Sequence, residues 1–273
     1  MAHRSIAVVS ICCMLLVSGG MSGCAAQPTN PSFPLTVADA RKAVDKMRLT
    51  PVQLQRPLVI IGGIGDPNFT PPIYRRWFER LTRDTKIITV SIGTCGSFES
   101  CRQAVVDAVD KACPSTDPLW TTEVDVMGAS LGGLVARFAA GPAVDTQHPR
   151  RLRIQRLFSI SSPHTGAALA DRIALTQMHR DLRTGSAFMR RLANLDHQAS
   201  YEVYPYVRLS DQIVGEEHAA PPGLVPIWVP NHRWTSSHDS ALFDDRILAD
   251  IARRLRGEAP FSHPPFAPLP EIP

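Results

Sequence analysis

Neither sign of charge dominates this chain. Its 29 Lys and Arg stand against 25 Asp and Glu, a net charge of +4, and no basic block is interleaved with aromatics. A nucleic-acid partner is therefore not expected, because phosphate binding needs clustered cations. The arginines of Arg150-Arg151-Leu152-Arg153-Ile154-Gln155-Arg156 read as a solvated loop and strand end. Long apolar runs are also missing. The longest, Ile6 to Val17, falls short of the roughly 20 residues that cross a bilayer. No internal repeat is present, which excludes a solenoid or propeller. Cysteines are few and never spaced as metal ligands, so no metal site is expected from them.

What remains is the composition of a folded domain, with 44% hydrophobic and 20% charged residues over 273 positions. His3 and Arg4 precede the first apolar run and small residues follow it, the pattern of a targeting segment. Met21-Ser22-Gly23-Cys24 resembles the lipobox of bacterial lipoproteins, with methionine where leucine is usual. The resemblance implies cleavage after residue 23, a diacylated Cys24 and a lipid anchor in a bacterial cell envelope, facing the periplasm or the exterior. Removing residues 1–23 takes away only Arg4 among charged residues, leaving 28 − 25 = +3. Of the cysteines beyond Cys24, Cys95 and Cys101 flank a five-residue segment and could close a small loop; with Cys113 the number is odd, and pairing stays open.

Residues 24–34, with prolines and polar side chains, read as a tether. A domain is expected over 35–257 and a proline-rich, disordered tail over 258–273. Within the domain, Thr36 is a candidate N-cap for a helix to Leu49. Leu58-Val59-Ile60-Ile61 is the uninterrupted apolar run of a strand buried on both faces. A helix over Ile73–Leu81, a strand over Lys86–Ser91 and a helix over Glu99–Ala112 follow. Further strands are expected at Arg156–Ile160, Val203–Leu209 and Pro226–Val229, with a terminal helix over Ser240–Leu255. Alternating strands and helices imply parallel βαβ units, hence an α/β fold with a mostly parallel sheet of about six strands flanked by helices.

One stretch organises the rest. Glu123-Val124-Asp125-Val126-Met127 alternates as a strand, Gly128-Ala129-Ser130-Leu131-Gly132 turns sharply, and Leu134 to Ala140 continues as a helix. Gly128-Ala129-Ser130-Leu131-Gly132 matches the G-x-S-x-G nucleophile elbow, and strand before with helix after is the context that gives the match weight. Small residues two positions either side of the serine let strand and helix pass closely. A serine hydroxyl needs a base, and the base an orienting acid, in the chain order Ser, acid, His. Asp211 lies just beyond the Val203–Leu209 strand, and His238 lies after the last strand and immediately before the final helix. The competing reading makes Asp211 a turn residue and His238 a helix cap.

These residues resemble the α/β-hydrolase superfamily and its bacterial lipase and esterase-like branch, from Leu58 to about Arg256. Besides the elbow, the resemblance rests on Leu209-Ser210-Asp211-Gln212-Ile213-Val214, Ser236-Ser237-His238 and Ser162-Pro163-His164-Thr165-Gly166. It implies catalysis by Ser130, Asp211 and His238, with the Ile64 and Leu131 amides as the oxyanion hole. Gly62-Gly63 stands where relatives carry His-Gly, and His164 is implied to be structural. The insertion Gly166–Ser200 is expected to form a helical cap. Its Leu169, Ile173, Phe188, Leu192 and Leu195 stand among Arg172, Arg180, Arg183, Arg190 and Arg191. That mixture suits either a surface meeting anionic lipid or helices packed on the core. The resemblance implies hydrolysis of a small-molecule or lipid ester, with no cofactor or metal. Two alternatives are an acyltransferase with the same triad and a non-catalytic, lipid-anchored binding protein.

Overall fold

The computed structural model describes residues 28–143, 148–196, 200–231 and 236–271. The targeting segment, Cys24 and the start of the tether lie outside the described residues.

The elements run α1 (Val37–Leu49), β1 (Leu58–Ile61), α2 (Thr70–Glu79), β2 (Ile87–Val90), α3 (Phe98–Ala112), β3 (Val124–Ala129), α4 (Leu131–Ala140) and β4 (Ile154–Ile160). Three short helices follow, α5 (Ala168–Arg172), α6 (Gln177–Asp181) and α7 (Ala187–Asp196). Then come β5 (Glu202–Arg208), β6 (Ile227–Val229), α8 (Ser237–Leu242) and α9 (Asp245–Leu255). The six strands form one sheet in the order β2-β1-β3-β4-β5-β6, every neighbouring pair parallel. This is the α/β-hydrolase fold.

Period-two alternation divides the strand side chains between two cores. Val59, Ile61, Val124 and Val126 face α3 and α4 on one side of the sheet. Leu58, Ile60, Met127 and Phe158 face α1, α2 and α9 on the other. Helix starts follow their sequence signals. Thr36 caps α1 by accepting from Asp39 N at 3.1 Å, and Ser97 with Ser100 forms a reciprocal capping box on α3. The chain leaves β1 for β2 on one side and returns to β3 on the other. That reversal opens a crevice at the carboxyl ends of β1 and β3, where open α/β sheets bind ligands.

Three expectations change. The final helix is broken at Phe243 and Asp244, because the Asp244 carboxylate caps a new helix by accepting from Arg246 N at 3.0 Å. His238 is consequently the second residue of α8 instead of preceding the helix. Residues 258–271 are ordered against the domain, correcting the disordered tail. Asp250, fully buried, accepts from Ser262 N at 2.8 Å, Ser262 Oγ at 2.7 Å and Tyr206 Oη at 2.7 Å. Phe261 and Phe266 pack on the α9 side of the sheet. The tether also packs from Asn30 onward, since Asn30 Nδ2 donates to Trp228 O at 2.7 Å and Phe33 is buried.

The insertion folds as three short helices, and its apolar residues divide. Met178, Met189 and Leu192 join the core beside α3 and α4, and Phe188 stacks on Phe98 at 3.9 Å. Leu169, Ile173 and Leu175 stay exposed. Among the described residues no helix is long and apolar enough to cross a membrane, and no cluster of His, Cys, Asp or Glu could hold a metal. Cys95, Cys101 and Cys113 are free thiols, with Cys101 buried.

Candidate active site

The end of β3 sets the geometry. Ser130 sits between strand and helix with φ 50° and ψ −123°, a left-handed conformation that L side chains avoid. Two glycines make the turn possible. A Cβ on Gly128 would stand 2.3 Å from Gly133 N, and one on Gly132 would stand 2.5 Å from Ile61 O. The strain is held by the sheet, with Ser130 N donating to Ile160 O at 2.8 Å. The hydroxyl therefore projects over the carboxyl edge of β3, and α4 begins at the next residue with its N-terminus directed at any developing negative charge.

Asp211 is carried by the loop after β5. It is nearly fully buried, and its Oδ1 accepts from Ile213 N and Val214 N, both at 3.0 Å. Burial alone raises its pKa; the hydrogen bond and charge of His238 and the Val214 amide outweigh that and hold it below the ordinary carboxylate value. His238 Nδ1 lies 2.9 Å from Asp211 Oδ2, and Nε2 lies 3.0 Å from Ser130 Oγ. The three side chains chosen from sequence thus form one hydrogen-bonded chain from three separate parts of the sequence: the β3–α4 turn, the loop after β5 and the first turn of α8. An ionised acceptor at Nδ1 favours the tautomer that leaves Nε2 free to take the serine proton.

Ile64 and Leu131 both line a cavity of about 260 Å³ that opens on Ser130. Leu169, Ile173, Leu182 and Ile213 form its apolar wall, and the first three of these come from the insertion. The loop bearing Ile64 is fixed by Asp66, whose carboxylate accepts from Phe69 N at 2.6 Å and Thr70 N at 3.1 Å. Sequence reading passed over Asp66, although Asp-Pro-Asn before a helix is a turn and capping signal. A larger cavity of about 380 Å³, beside Trp120 and Arg151, lies at the opposite edge of the sheet. It holds none of the three hydrogen-bonded residues.

His164 is buried away from Ser130. Its Nε2 lies 2.7 Å from Ser159 Oγ, and its Nδ1 lies 2.8 Å from the Arg137 guanidinium, which also donates to the His164 carbonyl at 3.1 Å. Burial first, and then the Arg137 charge, push its pKa well below the ordinary histidine value. It ties β4 to α4 beneath the elbow. Arg137 was missed in sequence, its one signal being an arginine inside an otherwise apolar helix.

The elbow serine and its hydrogen-bonded neighbours have the arrangement that serine hydrolases use. A family model described as "Putative serine esterase (DUF676)" matches residues 98–205, which include Ser130 but end before Asp211 and His238. No curated protein matches the chain. Among solved structures it is similar to the Bacillus licheniformis lipase BlEst2 in its propeptide form, at 14% identity and a TM-score of 0.49, covering 78% of this chain and 52% of that one. It is also similar to an esterase domain from Rhodothermus marinus, at 16% identity and a TM-score of 0.44, covering 72% and 86%. A third similarity is to phospholipase PlaB from Legionella pneumophila, at 12% identity and a TM-score of 0.42, covering 60% and 43%. The chain thus spans about half the length of the Bacillus lipase.

Proposed function

We propose that the protein hydrolyses carboxylic esters through an acyl-enzyme. The observation that carries this reading is the Ser130–His238–Asp211 chain, with contacts of 3.0 and 2.9 Å, at the mouth of an apolar cavity. His238 takes the Ser130 proton as Oγ attacks the ester carbonyl, and Asp211 stabilises the imidazolium that forms. The Ile64 and Leu131 amides receive the oxyanion, each donor contributing roughly 3–4 kcal/mol where such donors have been removed. His238 then returns its proton to the leaving alcohol, and water repeats the sequence to release the acid. The apolar wall suits the acyl chain, so activity should rise with chain length until the cavity is filled.

The test is labelling by a fluorophosphonate, followed by a series of p-nitrophenyl esters of increasing acyl length. Wild type should label once and Ser130→Ala not at all, with folding unchanged. Turnover persisting in purified Ser130→Ala would remove the assignment. Diacylation of Cys24 and an envelope location complete the proposal, supported by the Met21-Ser22-Gly23-Cys24 pattern. Labelled palmitate should enter wild type and not Cys24→Ser; an unlipidated wild-type protein in the membrane fraction would leave only an ordinary signal peptide.

A further inference from the structure

A third cavity, of about 910 Å³, lies between the 29–37 segment, the ends of β5 and β6, and helices α8 and α9. Its floor carries two arginines and one carboxylate between them. Asp244 is fully engaged with Arg246, receiving Nε at 2.9 Å and a terminal nitrogen at 2.6 Å. Arg208 is left 3.8 Å from the same carboxylate, beyond hydrogen-bond distance. It is 7% exposed, its Nε is buried without an acceptor, and its guanidinium finds no hydrogen bond among the described residues.

A buried guanidinium with unmet donors is costly, and the geometry that relieves it is a bidentate oxyanion, carboxylate or phosphate. Burial lowers the Arg208 pKa, the Asp244 carboxylate raises it, and the Arg246 charge beside it lowers it again. The other acids on the wall do not fill the gap. Asp245 is paired with Arg41 at 2.7 Å, and Asp239 is exposed to solvent. Above the arginines the wall is apolar, with Phe33, Leu35 and Phe243.

We propose that this cavity binds an anionic amphiphile, its oxyanion on Arg208 and its chain along Phe33, Leu35 and Phe243. The headgroup is a carboxylate, as on a free fatty acid, or a phosphate, as on a single-chain phospholipid. The site is separate from the cavity at Ser130 and does not depend on the proposed esterase activity.

The test fills the Ser130 cavity first, by phosphonylation with a long-chain alkyl fluorophosphonate, and then measures thermal stability at constant ionic strength. The probes are sodium decanoate, decyl phosphate, decanol, acetate and inorganic phosphate, with sodium chloride as reference. Decanoate or decyl phosphate should raise Tm in a saturable way, decanol should not, and the short anions should need at least tenfold higher concentration. The tighter of the two long-chain probes names the headgroup. Arg208→Gln should weaken the response at least tenfold, and Arg208→Lys should restore part of it. Should Arg208→Gln fail to fold, Phe243→Ser, at an exposed position, should weaken decanoate and leave acetate unchanged. If wild type responds to decanoate no more than to chloride, or if neither variant alters the response, the proposal is overturned. Acetate binding as tightly as decanoate would equally remove the amphiphile. If phosphonylation itself fails, the esterase reading is what suffers, and the Arg208 comparison can still be made on unlabelled protein.

Discussion

Gly132→Ala is the sharpest probe of the elbow. The added Cβ would stand 2.5 Å from Ile61 O and 2.7 Å from Gly62 O, whereas ordinary contact begins at 3.4 Å, so strand and helix must separate by about 3.4 − 2.5 = 0.9 Å. Both obstacles are backbone at the end of β1 and cannot rotate away. Alanine gains at most about 1 kcal/mol of helix propensity, whereas overpacking of this kind costs about 1–3 kcal/mol. The net loss of stability should be modest, about 0–2 kcal/mol. Activity should suffer more, because the displaced segment carries Leu131 N–H and faces the loop of Ile64. A misplacement near 1 Å costs about 10²-fold, or about 2.7 kcal/mol of barrier. Urea unfolding and kcat/KM on a p-nitrophenyl ester separate the two effects, with kcat falling further than KM rises. Gly96→Ala is the control, since its Cβ would meet nothing within 4 Å. Wild-type kcat in folded Gly132→Ala would refute the claim that close approach of β1 and α4 sets the oxyanion geometry.

Asp211→Asn should lower kcat by about 10⁴-fold by favouring the wrong histidine tautomer, read by steady-state kinetics; near wild-type activity would point to another orienting group. Asp250→Ala strips the acceptor from Tyr206, Arg254 and Ser262, so it should cost about 3–5 kcal/mol and make residues 258–271 the first to be cut in limited proteolysis. His164 has a folded pKa well below its ordinary value because it is buried, so below about pH 6.5 only the unfolded chain takes its proton. Stability should therefore fall as pH drops from about 6.5, by up to about 1.4 kcal/mol per pH unit from this group. His164→Gln should flatten the difference between urea midpoints at pH 7 and 5.5.

The sheet was legible because its strands are short, apolar and separated by turn residues, and the crossover rules leave few arrangements. The elbow was legible because sterics admit so few residues around Ser130. The breaks were not. Leu242 and Ile247 keep a helical rhythm across Phe243–Asp244, and periodicity alone does not report that Asp244 turns inward to cap α9. Composition misjudged the tail for a related reason. Proline content reports what a segment does unaided, whereas residues 258–271 are held by partners distant in sequence, Asp250 and Trp228 above all. Arg137 and Arg208 share the same invisibility, since the cost or benefit of a buried charge depends on what stands opposite it.

The site itself is preorganised mainly by backbone amides, which explains why few of its supports could be named from side-chain identity. Ser130 is held by Ile160 O, Asp211 by two amides of its own loop, and the Ile64 loop by Asp66 against two more. The insertion enters the same network. Ala168 N donates to Val214 O at 2.9 Å and Leu169 N to Ile213 O at 3.0 Å. The residues that start the cap are thus paired with the loop that orients Asp211. A cap that shifts to admit an acyl chain must either break those two bonds or carry the acid loop with it, and Asp211 can move little while His238 stays 2.9 Å away. The residues left to move are therefore the exposed Ile173 and Leu175 between α5 and α6, since Met178, Phe188, Met189 and Leu192 hold α6 and α7 in the core and α5 is tied to the Asp211 loop.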